Sequence, residues 1–466
     1  MKTKIVATMG PASDNEGILR EMILAGVNVF RLNFSHGSHE EQRERIRKIR
    51  LMAQMTNRNI AIMLDTKGPE IRVDTLERPI KIQVGSNYAL CCPEQRRKES
   101  DIPITYKGIA DNVVPGDRVL IDDGSISLLV LAIEEPFVVC RAENSGEVRS
   151  RKGVNLPGRE VDLPALTDKD KKDLLFGIKE DVDFIAASFI RNADHVQEIK
   201  DFLKQNGGEM PVIAKIESRS GVEALKEIIT AADGLMVARG DLGVEIPLAE
   251  VPIIQKEMIG LCNYHGKPVI TATQMLESMV QNPRPTRAEV SDIANAILDG
   301  TDAIMLSGES AAGKYPLEAV KTMAEIAAAT ESRIDTEKFR QQEMGSFTIT
   351  RAIGTAAVQL AEDLQAEAIV IPTATGETAR MIARFRPITP LAVTSPNERT
   401  CRRLTLTWGV DCSLQEHGRD YDETVAKAIE AAKKQKVLHK GDLAIVTAGA
   451  SLGSSEKTNS LIAIEV

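Results

Sequence analysis

The sequence predicts a (β/α)₈ barrel over roughly the first 330 residues, with an inserted β domain and a following α/β domain. Three observations support this. Eight short apolar runs rich in β-branched residues alternate with amphipathic stretches. A segment of different residue composition separates the third run from the fourth, and new strand-like runs begin after the eighth unit. Strands that alternate with helices pair in parallel. A doubly wound open sheet is the competing architecture, because periodicity alone does not exclude it.

The eight strand-like runs define eight βα units. The helical patterns between them begin with Ser, Thr, Asp or Pro and several end near Gly, as helix caps require. Eight such units in one segment favour closure into a barrel. The runs lie at residues 4–9, 27–34, 60–65, 182–189, 211–217, 234–240, 268–273 and 302–307.

The connection between the third and fourth runs is too long for a loop. Residues 67–166 are rich in Gly, Pro, Val and turn pairs, with alternating strand patterns and almost no long helical pattern. A connection of about a hundred residues needs a core of its own, so it predicts an inserted small β domain.

A polar, turn-like segment at residues 336–347 precedes the last domain, which begins with a helix at residues 349–364 and continues with four strand runs. We therefore expect three domains, of which the barrel is split in two. The predicted bounds are residues 1–69 and 166–342 for the barrel, 70–165 for the inserted domain and 343–466 for the C-terminal α/β domain.

Composition excludes several classes of function. The chain has 466 residues, of which 58 are Lys or Arg and 67 are Asp or Glu, and the net charge of −9 disfavours a surface that coats nucleic acid. No uncharged apolar run approaches the ~18 residues of a membrane span. Six scattered cysteines without metal-ligand spacing fit free thiols in a reducing compartment. We expect a cytoplasmic protein without membrane or nucleic-acid partners.

Polar side chains concentrate where the apolar runs stop. In a barrel, the carboxyl ends of the strands form the mouth, where active sites lie. Any one of these residues could belong to an ion pair at the rim, but polar ends on six strands favour an active site. The residues are Arg31, Asn33, Ser35, Asp65, Thr66, Lys215, Glu217, Arg239, Asp241, Thr273, Ser307 and Glu309.

Lys215 and Glu217 lie two positions apart in a strand, so their side chains point the same way. Glu217 and Asp241, on neighbouring strands, can give two oxygens to one Mg²⁺, which completes its shell with water and substrate phosphate. A lysine beside that ion suits a phosphoryl group, whose transfer depends on charge neutralisation. A buried Lys–Glu salt bridge without catalytic role is the alternative.

The turn at residues 238–243 (ARGDLG) offers backbone N–H groups that could hold a carboxylate or phosphate oxygen. The sequence contains neither a GxxxxGK[ST] motif nor a strand-linked GxGxxG motif. Any nucleotide must therefore bind by another route.

Seven motifs, in order along nearly the whole chain, resemble the pyruvate kinase family. They are residues 4–11 (KIVATMGP), 29–37 (VFRLNFSHG), 64–72 (LDTKGPEIR), 214–218 (AKIES), 236–245 (MVARGDLGVE), 271–287 (TATQMLESMVQNPRPTR) and 305–309 (MLSGE). The resemblance implies transfer of the phosphoryl group of phosphoenolpyruvate to ADP, which gives ATP and pyruvate in the last step of glycolysis. It also implies a β-barrel lid in the insert, a homotetramer and a divalent cation, Mg²⁺ or Mn²⁺.

The resemblance assigns roles to residues at the mouth. It implies that Lys215 stabilises the transferring phosphoryl group, that Glu217 and Asp241 bind the divalent cation, and that Thr273 lies beside the enolate, whose final proton donor stays open. The remaining matches are Arg31 with the substrate phosphate, Gly240 and Asp241 with the substrate carboxylate, and Arg72, Lys152 and His36 with the nucleotide.

A monovalent-cation site is implied by the match of Asn33, Ser35, Asp65 and Thr66. In this family a Glu in the TKGPEIR motif accompanies K⁺ dependence, and a Lys there can replace the ion. The chain has Glu70, so we expect dependence on K⁺.

The loop PTATGET in the C-terminal domain joins a strand run to a helix pattern. Hydroxyls and free N–H groups at a helix start can bind phosphate, and the loop resembles the family's effector site. An ordinary capped helix is the alternative. Fructose 1,6-bisphosphate, a sugar monophosphate and AMP all remain open as effectors. The candidate residues are Thr373, Thr375, Gly376 and Thr378.

Two other functions remain as alternatives. A barrel aldolase or lyase that uses phosphoenolpyruvate or pyruvate with Mg²⁺ would explain the carboxylates but would not need Arg72 and Lys152. A paralogue that only senses metabolites predicts losses among Lys215, Glu217, Asp241 and Thr273, and all four are present.

Overall fold

A closed ring of eight parallel strands lies at the centre of the computed structural model, which describes residues 1–159, 161–341, 348–449 and 458–466. The first strand pairs with the second and also with the eighth, in a register that joins Lys4 to Ala303. The predicted barrel is confirmed, and the open sheet is excluded. The strands are Lys4–Thr8, Val27–Asn33, Ala61–Asp65, Phe184–Ala187, Val212–Ile216, Gly234–Ala238, Val269–Ala272 and Ala303–Leu306.

Alternation along each strand divides the apolar residues into two layers. Val6 belongs to the cluster that fills the ring, whereas its neighbours Ile5 and Ala7 pack outward against helices. Ser38, Thr167 and Thr286 each form a capping box at a helix start. The helices are Glu16–Ala25, His39–Thr56, Asp168–Lys179, Ala193–Gln205, Arg219–Glu223, Leu225–Ala231, Arg239–Glu245, Val251–His265, Arg287–Asp299, Gly308–Ala311, Pro316–Glu331 and a 3₁₀ turn at Glu277–Val280.

The insert between the third and fourth barrel strands is a small, barrel-like β domain. A six-stranded and a two-stranded sheet enclose one apolar core of their own. The predicted β insert is thus confirmed. Its strands are Ile80–Ile82, Asn87–Cys91, Ile102–Pro103, Arg118–Ile121, Ile126–Glu134, Phe137–Ala142, Gly146–Val148 and Val154–Asn155, with short helices at Pro93–Gln95 and Ile109–Asn112.

The C-terminal α/β domain is a five-stranded sheet with helices on both faces, four strands parallel and the last antiparallel. Its strands are Ala368–Pro372, Leu391–Ser395, Val410–Leu414, Leu443–Ala448 and Ser460–Glu465, and its helices are Ile349–Asp363, Glu377–Ala383, Glu398–Leu404 and Tyr421–Lys434.

The turn predicted from residue 336 is wrong in its first half, because Thr336–Gln341 is a helix. Its anchor is Phe339, which is buried at Gly300. A single apolar residue in a polar helix leaves no 3.6-residue pattern to detect. Residues 342–347, which include the expected domain boundary at 342/343, lie outside the described residues.

The C-terminal domain meets the barrel at the amino ends of its strands, opposite the mouth. Arg386 is fully buried there, and its guanidinium donates to Asn263 Oδ1 at 2.7 Å, Gly300 O at 2.6 Å and Asp302 Oδ2 at 3.0 Å. Leu406 joins the cluster that fills the barrel interior. Among the described residues, no helix is both long enough and apolar enough to span a bilayer.

Candidate active site

The candidate site lies at the carboxyl ends of the barrel strands, under the inserted domain. The same cleft is lined by Glu217 and Asp241 from the barrel and by Glu70, Asp123 and Asn155 from the insert. The topology therefore brings two separately folded parts of the chain to one cavity. This is the face of a barrel at which enzymes place their catalytic groups.

Lys215 is the buried cation at the centre of this mouth. Its ammonium lies 2.9 Å from Glu217 Oε1 and 3.2 Å from Asp65 Oδ1, and it donates to Ser188 Oγ at 2.7 Å. Burial by itself lowers the pKa of Lys215, but Asp65 and Glu217 outweigh it and the pKa lies above its ordinary value. Lys215 is therefore charged at neutral pH.

Arg31 is a second cation that contacts Asp65. Its Nε donates to the Asp65 carboxylate, and Nη1 donates to Thr8 Oγ1 at 3.1 Å. Burial raises the pKa of Asp65, yet Arg31 and Lys215 more than compensate, so the pKa falls below its ordinary value. An ionised Asp65 thus holds two cations side by side.

Glu217 and Asp241 are crowded carboxyl groups. Burial is the main cause that raises the pKa of Glu217 and the pKa of Asp241, and the positive charge of Lys215 lowers both. The negative charge of Asp241 raises the pKa of Glu217 further. The Phe189 N–H donates to Glu217 Oε2 at 2.5 Å. Two neighbouring carboxyl groups are oxygen ligands of the kind that a hard divalent cation takes.

The two carboxylates alone do not make a complete metal cage. Among the residues that the structure describes, no group of three or more His, Cys, Asp or Glu side chains is arranged to hold a metal ion. A divalent cation bound by Glu217 and Asp241 therefore needs water or substrate oxygens as further ligands, which is the arrangement that Mg²⁺ prefers.

Thr273 has a strained backbone conformation at this site. Its φ of 64° lies in the left-handed region, which is costly for a β-branched residue. Two contacts hold it: Gly240 N donates to Thr273 Oγ1 at 2.9 Å, and Arg239 Nη2 donates to Thr273 O at 2.6 Å. Strain of this kind clusters at functional sites.

The predicted glycine turn at residues 238–243 is wrong, because Arg239–Glu245 forms a short helix. The Gly240 N–H is not free either, since it donates to Thr273. The helix begins directly after the strand Gly234–Ala238, and this places Asp241 in its first turn.

The residues of the expected monovalent-cation site lie on two adjacent strand ends. Asn33 and Asp65 are register partners across the barrel sheet, and Ser35 and Thr66 follow them. Asn33 Oδ1 accepts from Ser35 N at 3.0 Å. Thr66 Oγ1 accepts from Ser188 N at 3.1 Å.

Two expected nucleotide residues, Arg72 and Lys152, lie close together in the insert, where Arg72 bridges to Gly153. Both are paired with acids: Arg72 Nε donates to Glu70 Oε2 at 2.6 Å, and Lys152 Nζ lies 2.9 Å from Asp122 Oδ1. His36, the third, is exposed at the rim after the second barrel strand.

The expected effector loop is less open than its sequence suggested. Gly376 N donates to Thr373 Oγ1 at 3.0 Å, and Glu377 N donates to Thr375 Oγ1 at 3.4 Å. The expectation of free N–H groups is therefore wrong at these two positions, because the loop hydroxyls already accept from them. Thr378 Oγ1 is hydrogen-bonded to Thr458 Oγ1.

Sequence reasoning missed Ser188 and Phe189, which follow the strand Phe184–Ala187. Ser188 Oγ bridges Lys215 and Asp65, and Phe189 contacts Glu217 through its main chain. The run at residues 182–189 contained Ser188 near its end, so the rule of polar strand ends could have found it. A main-chain donor leaves no signal in the sequence.

Comparison with known proteins finds one family along the chain. The family description "Pyruvate kinase, barrel domain" matches residues 1–320, and "Pyruvate kinase, alpha/beta domain" matches residues 351–464. A pyruvate kinase of Geobacillus stearothermophilus is 49% identical over 98% of this chain and 79% of its own length. One of Clostridium acetobutylicum is 47% identical over 99% of this chain and 98% of its own length. A Bacillus licheniformis pyruvate kinase is 47% identical, with 98% and 79% covered.

Proposed function

The chain belongs to the pyruvate kinase family, and from that premise we propose which of its residues perform each part of the reaction. The enzyme transfers the phosphoryl group of phosphoenolpyruvate to ADP and releases ATP and pyruvate, in the last step of glycolysis. Kinases of this family need a divalent metal. The cluster of Arg31, Asp65, Lys215 and Glu217 at the barrel mouth is the observation that supports our assignment.

Arg31 and Lys215 receive the phosphate of phosphoenolpyruvate. Both cations are fixed by Asp65, so little reorganisation is needed when a trianionic group enters. Preorganised charge of this kind stabilises the transferring phosphoryl group more than the ground state. Lys215 is the catalytic residue of the pair, because its buried ammonium also neighbours Glu217.

Glu217 and Asp241 bind the divalent cation, Mg²⁺ or Mn²⁺, which supplies charge neutralisation to the substrate oxygens. Burial is the main reason that the pKa values of both carboxyl groups are raised, and a divalent cation bound between them would offset the cost of burying two carboxylates. The helix Arg239–Glu245 places Gly240 and Asp241 in its first turn, and we assign the contacts with the substrate carboxylate to these two residues, through groups other than the Gly240 N–H that Thr273 Oγ1 holds.

Thr273 lies where the enolate is protonated, either by its own hydroxyl or by a water that the hydroxyl orients. The Gly240 N–H fixes the position of Oγ1, and Arg239 fixes the main chain. The strain at Thr273 supports this role, since the fold maintains a costly conformation there.

Arg72 and Lys152 bind the phosphates of the nucleotide, with His36 at the facing rim. Each cation is paired within the insert, so nucleotide binding exchanges Glu70 and Asp122 for phosphate oxygens. Asp123, next to Asp122, lines the same cleft as Asp241. This supports a location of the nucleotide between insert and barrel.

A potassium ion bound by Asn33, Ser35, Asp65 and Thr66 supplies a further fixed positive charge. Glu70 supports the need for it, because it lines the cleft and raises the pKa of Asp241. We expect Glu70→Lys to reduce the K⁺ requirement of turnover in buffer free of Na⁺ and K⁺. Glu70→Gln is the control, since it breaks the pair with Arg72 without adding charge. Full wild-type activity without K⁺ would contradict the proposal.

The loop residues Thr373, Thr375, Gly376 and Thr378 bind the phosphate of an effector, a sugar phosphate or AMP. Separate apolar cores in the barrel, the insert and the C-terminal domain support a division into three domains, for which we keep the bounds 69/70, 165/166 and 342/343. Association into a homotetramer is supported by two exposed apolar side chains, Leu248 (76% exposed) and Ile253 (66% exposed), and light scattering tests it.

Six free cysteines support a cytoplasmic location.

The decisive experiment is pyruvate formation from phosphoenolpyruvate and ADP with Mg²⁺, with and without K⁺, and with each candidate effector. Activity that needs ADP and K⁺ agrees with the assignment. Turnover without ADP would favour a lyase or aldolase, and phosphate binding without any turnover would favour a metabolite sensor.

A further inference from the structure

Two of the six cysteines lie against each other in the C-terminal domain. Cys401 is in the helix Glu398–Leu404, Cys412 is in the strand Val410–Leu414, and their sulfur atoms are 3.0 Å apart. Both side chains are buried. A disulfide bond needs an S–S distance near 2.05 Å, so the sulfurs must approach by only about 1 Å.

The environment of this pair differs from that of the other buried thiols. Burial raises the pKa of Cys140, and also that of Cys262. The hydrogen bond from Cys412 instead lowers the pKa of the Cys401 thiol and raises that of its own. The first proton therefore leaves the pair more readily than it leaves an isolated buried cysteine.

A cleft open to solvent adjoins one residue of the pair. Cys412 lines a cleft of about 800 Å³ between the barrel and the C-terminal domain, together with Asn59, Arg402 and Ser413. The lining is mostly polar, so water and small polar solutes can enter. A molecule the size of hydrogen peroxide can thus reach the edge of Cys412, of which 4% is exposed.

The helix and the strand that carry the two cysteines each form hydrogen bonds between the C-terminal domain and the barrel. On the helix, Arg402 Nε donates to Asp183 Oδ1 at 2.6 Å. On the strand, Val410 O accepts from Lys4 Nζ at 2.6 Å, and Cys412 O accepts from Asn59 Nδ2 at 2.6 Å. A covalent bond between the cysteines would tie these attachments together.

The same helix supports the loop at residues 373–378. Thr400 Oγ1 donates to Ala374 O at 2.9 Å. A Cβ added at Gly376 would lie 2.9 Å from Leu404 Cδ2, so loop and helix pack directly. Because the helix Glu398–Leu404 contacts the loop directly, a restraint on the motion of the helix also restrains the loop.

We propose that Cys401 and Cys412 are a reversible disulfide site, oxidised by a peroxide and reduced by a dithiol, that restrains the loop at residues 373–378. One thiolate attacks peroxide, the O–O bond breaks and a sulfenic acid forms as water leaves. The second thiol attacks that sulfur, the S–S bond forms and a second water leaves, so two electrons pass from the thiols to the peroxide. Its regulatory meaning rests on the proposed effector role of the loop.

The test treats the full-length enzyme with hydrogen peroxide or dithiothreitol and then alkylates it with N-ethylmaleimide in denaturant. We expect four maleimides on the oxidised chain and six on the reduced one, with a cross-linked peptide that joins residues 401 and 412. Cys412→Ser abolishes the cross-link, whereas Cys140→Ser, the control in the insert, retains it. A cross-link that is absent from the wild type, or that joins other cysteines, overturns the proposal.

Hydrogen exchange then measures the restraint without any effector present. We expect exchange at residues 373–378 and 398–404 to slow severalfold in the oxidised wild type and to be unchanged by peroxide in Cys412→Ser. Unchanged exchange in the cross-linked wild type overturns the coupling. Because this readout needs no ligand, its failure is distinct from failure of the loop to bind a sugar phosphate, which calorimetry on the reduced enzyme reports.

Discussion

Replacement of Lys215 by methionine tests the central assignment, because it removes one charge and keeps the length of the side chain. The ammonium lies 2.9 Å and 3.2 Å from two carboxylates, and Asp65 retains Arg31 when it is lost. Glu217 retains the Phe189 N–H. The site is therefore not left without partners, and we expect Lys215→Met to fold.

The size of the effect follows from Coulomb's law. A unit charge about 4 Å from the transferring oxygens contributes about 4 kcal/mol at an effective dielectric near 20, or about 10³ in rate. Only the part that grows in the transition state lowers the barrier, so kcat should fall about 10²- to 10³-fold. Affinity for the divalent cation should not weaken, because Glu217 loses a competing positive neighbour.

The assay is steady-state pyruvate formation, with Mn²⁺ binding followed by electron paramagnetic resonance. Lys267→Met is the matched control: that ammonium donates to Ile229 O and Ala232 O, both at 2.6 Å, at the opposite end of the barrel. It should keep its kcat even if stability falls. A folded Lys215→Met enzyme with kcat within about fivefold of wild type would refute the reasoning, since that is below the Coulomb estimate.

Three further predictions concern stability and the strained threonine. Arg386→Met removes the ion pair of the buried Asp302, which keeps only the field of Lys4 and two main-chain N–H donors, and should lower the free energy of urea unfolding by about 3 kcal/mol, with partial recovery in the double variant that adds Asp302→Asn. Burial lowers the pKa of Lys4 from 10.5 to about 8. Between these two pH values the unfolded chain binds more protons than the folded chain, so the free energy of unfolding rises with pH. Lys4→Met should lack this rise, on the order of 3 kcal/mol, and equal pH slopes would contradict the argument; the carboxylates that face Lys4 are Asp302, Glu331 and Asp411. Thr273→Val removes the acceptor of the Gly240 N–H and should lower kcat about 10²-fold, whereas Thr273→Ser should stay within about tenfold.

The barrel and its insert could be predicted because both leave one-dimensional signals. A buried parallel strand appears in the sequence as a short run of β-branched residues, and the insert appears as a change of residue composition and pattern that is as long as a domain. The polar residues at strand ends also lie at the mouth for a general reason, since parallel strands end at one face. Lys215 and Glu217 contact each other as their spacing suggested.

The finer geometry could not be predicted, because it depends on the main chain. Nothing in the letters shows that Phe189 offers its N–H to Glu217, or that Thr273 has a positive φ. The short helix at Arg239–Glu245 contains two glycines and no apolar periodicity, so a turn was the natural expectation. The N–H groups of the loop at residues 373–378 are not all free, because two of them donate to threonine hydroxyls two and three positions earlier, and the sequence does not show which rotamers bring these hydroxyls within reach.

The pairing of the first barrel strand with the eighth has a consequence for synthesis of the chain. Lys4 cannot find Ala303 until the ribosome has made some three hundred further residues, which takes tens of seconds at roughly 5–20 residues per second. During that interval the apolar strands that emerge first have no closed ring, and nascent chains in this condition are substrates for chaperones. The insert can form its own core early in the interval. The part of the enzyme that covers the candidate active site is therefore able to fold before the barrel that it covers.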